Sequence, residues 1–373
     1  MTAMTDSDNA HTRDRAAAPS RLERLRAAFA VLAPYLLLGL LPALLWVLLL
    51  STIADRDGLA FDFHQFFYPQ ARVLIHGGTP ATAYPPLTTL FYAPFALLPA
   101  AAADVVITVT MILCAGATLL VLGVRDWRCY GASALWAPVY SAVQTGNLSL
   151  VLALAVAALW RCRSRAPAAG TLVALMVASK LFLWPLAGWL LATRRWRAAA
   201  IMVAIGVAAS AAAWAVTGLD AVRHFPALVR GNVVDNGSKP YTIVTVLQDL
   251  GGSAAVGYAV CWIAGAALLV AAWRAAMRGR EAASLALFIG AALILSPIVW
   301  SHYLALLLVP VALTRPRFST LWLAPLPLWI CPPVDPALPQ KLLLLGVGAA
   351  IVAFCARDSG GAPGERAAGV AAT

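Results

Sequence analysis

The chain has 373 residues, 62% of them hydrophobic and 12% charged, with a formal net charge of +11 and a mean hydropathy of +0.81. That leaves too little polar surface to cover a water-soluble domain, so the composition excludes a soluble enzyme and points to an all-α polytopic membrane protein. The positive charge does not argue for nucleic acid. Its arginines stand in short clusters between apolar runs, such as Arg161, Arg163 and Arg165, then Arg194, Arg195 and Arg197, then Arg274, Arg278 and Arg280, which is the pattern of cytoplasmic loops in a bilayer.

Taken in order, residues 1–29 read as a disordered cytoplasmic tail, carrying five arginines ahead of the first apolar run. That run, Ala30 to Ile53, is long enough to span and is followed by no small-residue cleavage pattern, so it reads as an uncleaved transmembrane helix. An outer segment, 54–100, follows, and 101–124 returns to the cytoplasm. Further spans are expected at 131–145, 148–160, 168–180, 181–193 and 197–217, then an outer loop at 218–253 and a span at 254–274. The last four are 283–297, 299–314, 318–331 and 339–356, with 357–373 a second disordered cytoplasmic tail. The result is about twelve spans with both termini cytoplasmic, several of them shorter than the roughly 20 residues a full crossing needs. Six cysteines without a C-x-x-C pair imply neither a disulfide framework nor a metal knuckle.

With orientation set by the arginines, the remaining polar residues test it independently. Asp62, Tyr84, Gln144, Asn147, Lys180, Asn232, Asn236, Ser296 and His302 all fall at or near the outer ends of spans. Such convergence is what a site at the outer interface requires.

Residues 62–76 fit an amphipathic helix on the membrane surface. Phe63, Phe66, Phe67, Ala71 and Leu74 form its apolar stripe, Gln65, Arg72 and His76 its other side, and Gly77-Gly78 its end. Asp62 stands where an N-cap would, so capping competes with catalysis as its role. Lys180 interrupts the apolar run ALMVASKLFLW, where an unpaired ammonium costs about 2.5–3.5 kcal/mol. It either snorkels to a helix end or faces a polar cavity and holds an anion. In SPIVWSHY, Pro297 breaks the helix and puts Trp300 and His302 at an outer turn, and in QTGN the amides of Gln144 and Asn147 either bind sugar hydroxyls or cap helices. Nucleotide-phosphate loops, dinucleotide fingerprints and zinc- or serine-hydrolase motifs are missing from the sequence, which favours a substrate already carried in lipid.

These blocks occur in one order: Asp62 with Phe66, Phe67, Gly77 and Gly78; Tyr84 to Leu87 with Pro94, Leu98 and Pro99; Gln144, Gly146 and Asn147; Lys180 before Arg194 to Arg197; and Ser296 to Tyr303. In that order the chain resembles, over about residues 30–356, the bacterial polyprenyl-phosphate-mannose-dependent alpha-mannosyltransferases of the GT-C superfamily, the group with domain of unknown function 2029. At NGSKPY, Asn236 to Tyr241, it departs from the family's N-x-S-L pattern. The resemblance implies a GT-C-type glycosyltransferase fold whose first outer loop supplies the catalytic Asp.

By that resemblance Asp62 is the general base of an inverting sugar transfer from a polyprenyl-phosphate donor, mannose foremost, to an envelope glycolipid or glycan at the extracytoplasmic face of the plasma membrane. Lys180, Arg72 and His302 are then candidates for the donor phosphate, and Tyr84, Gln144, Asn147 and Trp300 for the sugar. Asp57 and Asp104 are rival acids, set aside because only Asp62 carries the downstream pattern. Neither a cofactor nor a protein metal site is expected. The alternatives are an arabinofuranosyl donor on the same scaffold, or a non-enzymatic transporter or flippase of lipid-linked sugars.

Overall fold

The computed structural model describes residues 21–54 and 58–358. Of the expected tails, 1–29 and 357–373, residues 1–20 and 359–373 lie outside the described residues, as does Asp57, while 21–29 belong to the first helix and 357–358 end the last one. Every regular element among the described residues is helical.

The first apolar run forms α1 (Arg21–Tyr35) and α2 (Leu41–Ala54), joined by a π-helical turn, Leu36–Leu40. Phe61 and Asp62 enter a second π turn, Phe63–Phe67, that continues as α3 (Tyr68–Ile75). The wide turn, closed by Tyr68 N–H on the Phe63 carbonyl, lets Pro69 sit in the helix without a break. Then come α4 (Pro86–Tyr92), α5 (Ala100–Val121), α6 (Trp127–Ala134), α7 (Ala137–Thr145), α8 (Ser149–Cys162), α9 (Ala166–Ser179), α10 (Pro185–Ala192) and α11 (Trp196–Thr217). The expected outer loop 218–253 is largely helical instead, holding the amphipathic α12 (Asp220–Asn236) and the short α13 (Ile243–Asp249). The chain closes with α14 (Ala254–Met277), α15 (Glu281–Leu295), α16 (Leu308–Thr314) and α17 (Leu338–Asp358).

Helices stand close to where the apolar runs place them, though the expectation of about twelve spans goes beyond what helix length and composition support. Among the described residues five are long and apolar enough to cross a membrane: Phe29–Thr52, Ala100–Val121, Trp196–Thr217, Ala254–Met277 and Leu338–Asp358. A sixth arises if α7 and α8, bent by 115° at their junction, count as one broken span. The chain is therefore a multi-pass membrane protein in which apolar character serves two purposes. The long helices turn side chains such as Val203, Val207, Trp262 and Ile263 outward, as lipid-facing helices do. Short apolar helices such as α15 bury nearly every side chain within the protein, where length need not match the bilayer.

One end of the helices is tied together by the arginine clusters. Arg195 donates to both oxygens of Glu281 at 2.9 Å, Arg163 to one of them at 3.1 Å, and Arg195 also donates to the Arg163 carbonyl. Arg280 donates to the Ala356 and Arg357 carbonyls, and Arg315 pairs with Asp358. These arginines therefore fasten α8, α11, α15, α16 and α17 to one another besides marking a topology.

Candidate active site

The opposite ends of α8 and α9 converge on Asp62. In the α7–α8 turn, Gly146 adopts φ +62°, and a Cβ there would come within 2.9 Å of the Phe63 Cβ and 3.1 Å of the Ala60 Cβ. Only glycine permits both the left-handed backbone and the close approach. Tyr92 locks the turn by donating its hydroxyl to the Gly146 carbonyl at 2.8 Å, and its ring packs on Phe63 and Phe67. The next residue, Asn147, is fully buried and faces Asp62.

The Asn147 Nδ2 donates to Asp62 Oδ2 at 2.9 Å, and its Oδ1 accepts from Lys180 Nζ at 2.6 Å. Lys180 also donates to the Tyr303 hydroxyl at 3.3 Å and lies over the rings of Tyr303 (4.5 Å) and Tyr84 (5.4 Å). An ammonium has three N–H groups, so one remains for a ligand. Lys180 reaches this position because α9 ends there and the chain turns extended, φ −138°, before the 3-10 turn Leu181–Leu183. The helix end is held by Thr88, whose hydroxyl donates to the Ser179 carbonyl at 2.6 Å. The lysine is only 3% exposed, so it does not snorkel to the surface; its ammonium is turned to Asn147 and Tyr303 inside the protein.

Asp62 is corrected from helix cap to interior helical residue. Its backbone is helical (φ −64°, ψ −38°), it makes no side-chain cap bond, and its carboxylate is turned to Asn147. Burial raises its pKa above the ordinary carboxylate value, while the Asn147 amide and the Lys180 charge pull the other way. Burial likewise raises the pKa of Tyr84, helped by the Asp62 charge, so its phenol keeps its proton.

Four of the expected residues are thus brought together: Asp62, Asn147, Lys180 and Tyr84. His302 borders them, its ring 4.9 Å from that of Tyr303; it is 3% exposed, and its Nε2 is buried without a hydrogen-bond partner. Trp300 stands at the cap of the 3-10 turn Ser301–Leu307, half-buried against the core. Gln144, in the last turn of α7, is half-buried and makes none of the bonds that link Asp62 to Lys180. Arg72 is exposed on α3 and donates to the Ala96 carbonyl at 3.3 Å, apart from that chain. The rival Asp104 is engaged elsewhere, its Oδ2 2.8 Å from His64 Nδ1. Tyr303 and Tyr92 were not singled out from sequence. Tyr303 could have been, since it closes the SPIVWSHY block one residue after His302.

A family model, glycosyltransferase family 87, matches residues 82–297, more than half of the chain. The chain belongs to glycosyltransferase family 87. The match begins next to Tyr84 and includes Asn147 and Lys180, while Asp62 and His302 lie just outside it. This glycosyltransferase family 87 chain matches no curated protein and no solved structure. Membership makes it a membrane glycosyltransferase, and sugar transfer displaces transport as the reading of its site.

Proposed function

We propose that the protein transfers a sugar from a polyprenyl-phosphate donor to a hydroxyl of a glycolipid or glycan acceptor, with inversion and with Asp62 as general base. The observation that carries this reading is the buried sequence of groups Asp62–Asn147–Lys180–Tyr303, in which a carboxylate and an ammonium are held apart by one amide. A base and an anion-binding cation at a fixed spacing match the two ends of a glycosyl transfer.

The acceptor O–H gives its proton to the free oxygen of Asp62 as its oxygen bonds to the anomeric carbon. The bond from that carbon to the donor phosphate breaks, and the electron pair leaves on the phosphate. Asn147 orients the carboxylate, and Lys180 balances the charge arriving on the leaving phosphate. His302, with its unpartnered Nε2, is the second group offered to that phosphate. A protonated Tyr84 presents an aromatic face beside both.

The donor sugar is proposed as mannose, in keeping with the mannosyltransferases the motifs resemble. A GT-C fold and an extracytoplasmic site belong to the same proposal. The site lies at the helix ends opposite Arg163, Arg195 and Arg280, and this separation from the basic clusters supports an extracytoplasmic site under the positive-inside rule. Purified protein in nanodiscs, given radiolabelled polyprenyl-phosphate-mannose and a membrane glycolipid extract, is expected to transfer label, and Asp62→Asn to transfer about 10²- to 10⁴-fold more slowly while remaining folded. Normal transfer by the folded variant would overturn Asp62 as base. Transfer from an arabinofuranosyl donor alone would replace mannose.

A further inference from the structure

Helix α12 lies beside the extended segment that leads from α3 to Tyr84, and a groove of about 640 Å³ separates them. Its helical wall is one face of α12: Asp220, His224, Ala227, Gly231 and Asp235 recur at the i, i+4, i+7, i+11 and i+15 spacing of a single stripe. The facing wall is Thr79, Pro80, Ala81 and Ala83. At Pro80, Ala221 and Leu228 the groove is closed by a tight cleft of about 10 Å³ lined by Tyr84, Trp214 and Phe225. The tyrosine behind this inner wall is the one whose ring lies 5.4 Å from Lys180 Nζ.

The chemistry of the walls selects a ligand. Among the described residues neither Lys nor Arg lines the groove or the cleft, whereas two carboxylates, an imidazole and the Asn232 amide do. Arg223 and Arg230 belong to α12 but fall off the groove stripe. Such a surface repels a phosphate and suits neutral vicinal hydroxyls, which carboxylates accept in pairs. The aromatic pair Trp214–Phe225, 5.3 Å between centroids, packs behind the inner end of the groove. Gly231 faces open space, since a Cβ there would meet nothing within 4 Å, so a large side chain placed there would project into the groove.

We propose that this groove is the acceptor subsite, holding a neutral glycan chain with its terminal sugar against the wall that carries Tyr84. The proposal rests on the transferase reading above and adds where the acceptor lies and that its recognised part is uncharged.

The test uses the full-length protein in nanodiscs and octyl α-mannoside as probe, in two arms. In the kinetic arm, Gly231→Leu and Asp235→Asn are expected to raise the KM for the mannoside at least tenfold, with donor KM and saturated rate within about twofold of wild type. An unchanged mannoside KM, or a donor KM rising in step with it, would overturn the subsite. In the second arm, an octyl mannoside bearing a diazirine beside the anomeric oxygen is photolysed with the protein and the labelled peptides are mapped. Labelling within 79–84 and 220–235 that free mannoside competes away supports the subsite, even where the wild-type protein transfers nothing to this probe; that combination counts against the transfer reading alone. Labelling elsewhere, or none, sinks the subsite.

Discussion

Asp62 and Lys180 are joined through a single amide, Asn147, which donates to the carboxylate at 2.9 Å and accepts from the ammonium at 2.6 Å. A direct ion pair would tie up the base in its resting state. The interposed amide leaves one carboxylate oxygen and one N–H unspent. Asn147→Leu, similar in size but unable to bridge, is expected to lower kcat at least a hundredfold. Asn147→Asp, which sets a second negative charge against Asp62, is expected to be no better. Single-turnover transfer rates measure both.

The pH profile follows from burial. Asp62 has its pKa raised above the ordinary carboxylate value, and a general base acts only when unprotonated. The rate is therefore expected to fall as pH drops through that raised value. Asn147→Ala removes a bond that favours the charged form, so the acidic limb should move to higher pH. Stability has the opposite sign. The folded state holds the proton more tightly than the unfolded one, so stability declines as pH rises from the unfolded to the folded pKa. Asp62→Asn should abolish that decline while costing about 10²- to 10⁴-fold in rate, as seen by thermal unfolding and transfer assays across pH.

Lys180 separates charge from shape. Lys180→Met keeps the chain length and removes the ammonium, and is expected to raise donor KM tenfold or more with little change in unfolding temperature. Lys180→Arg keeps the charge but must fit a planar fork where a buried ammonium stood, so only partial activity is expected. Equal donor KM in all three proteins would remove Lys180 from phosphate binding.

Gly146 sets the distance between the α7–α8 turn and the Asp62 helix. Gly146→Ala meets both a positive φ, worth roughly 1–2 kcal/mol, and contacts of 2.9 and 3.1 Å with Phe63 and Ala60. Transfer should drop at least tenfold, with a measurable loss of thermal stability.

Away from the site, Asp126 caps α6 and accepts from Arg128 and from the Phe318 backbone N–H. Arg128 above all, then that N–H, hold its pKa down to about 2. Its stabilisation is present above the unfolded value and is lost as pH falls toward 2. Asp126→Ala should cost about 1–2 kcal/mol at neutral pH, with transfer kinetics unchanged after correction for folded fraction.

Much of this was legible in the sequence because apolar runs and arginine clusters are one-dimensional signals. Helix α5 at Ala100–Val121 and α11 at Trp196–Thr217 begin and end near the expected bounds. What periodicity does not encode is which apolar helix faces lipid and which faces protein: α15, with most of its side chains buried, reads the same in sequence as a lipid-facing helix. Members of the candidate site drew attention where a polar residue breaks an apolar run, as Lys180 does, or forms a polar turn between two, as Asn147 does. The site was not legible where the role depends on distant partners. Arg72 is charged and close in sequence to Asp62, yet α3 carries it toward Ala96. The π turn after Asp62 also escaped notice, because Asp62 beside an amphipathic stripe looks the same whether it caps or reaches inward.

The first apolar helix meets the rest of the protein at few places: Tyr35 stacks on Trp127, Trp46 donates to the Ala134 carbonyl, and Gly131 lies so close that an added Cβ would be 1.6 Å from the Leu38 oxygen. Most of its remaining surface is bare Leu and Val. A spanning helix with so bare an apolar face is built for lipid to cover, and it stands just ahead of the residue proposed as base. Its position is expected to depend on the surrounding lipid more than that of the buried helices does, so transfer should be lost in harsh detergent before the overall helix signal falls.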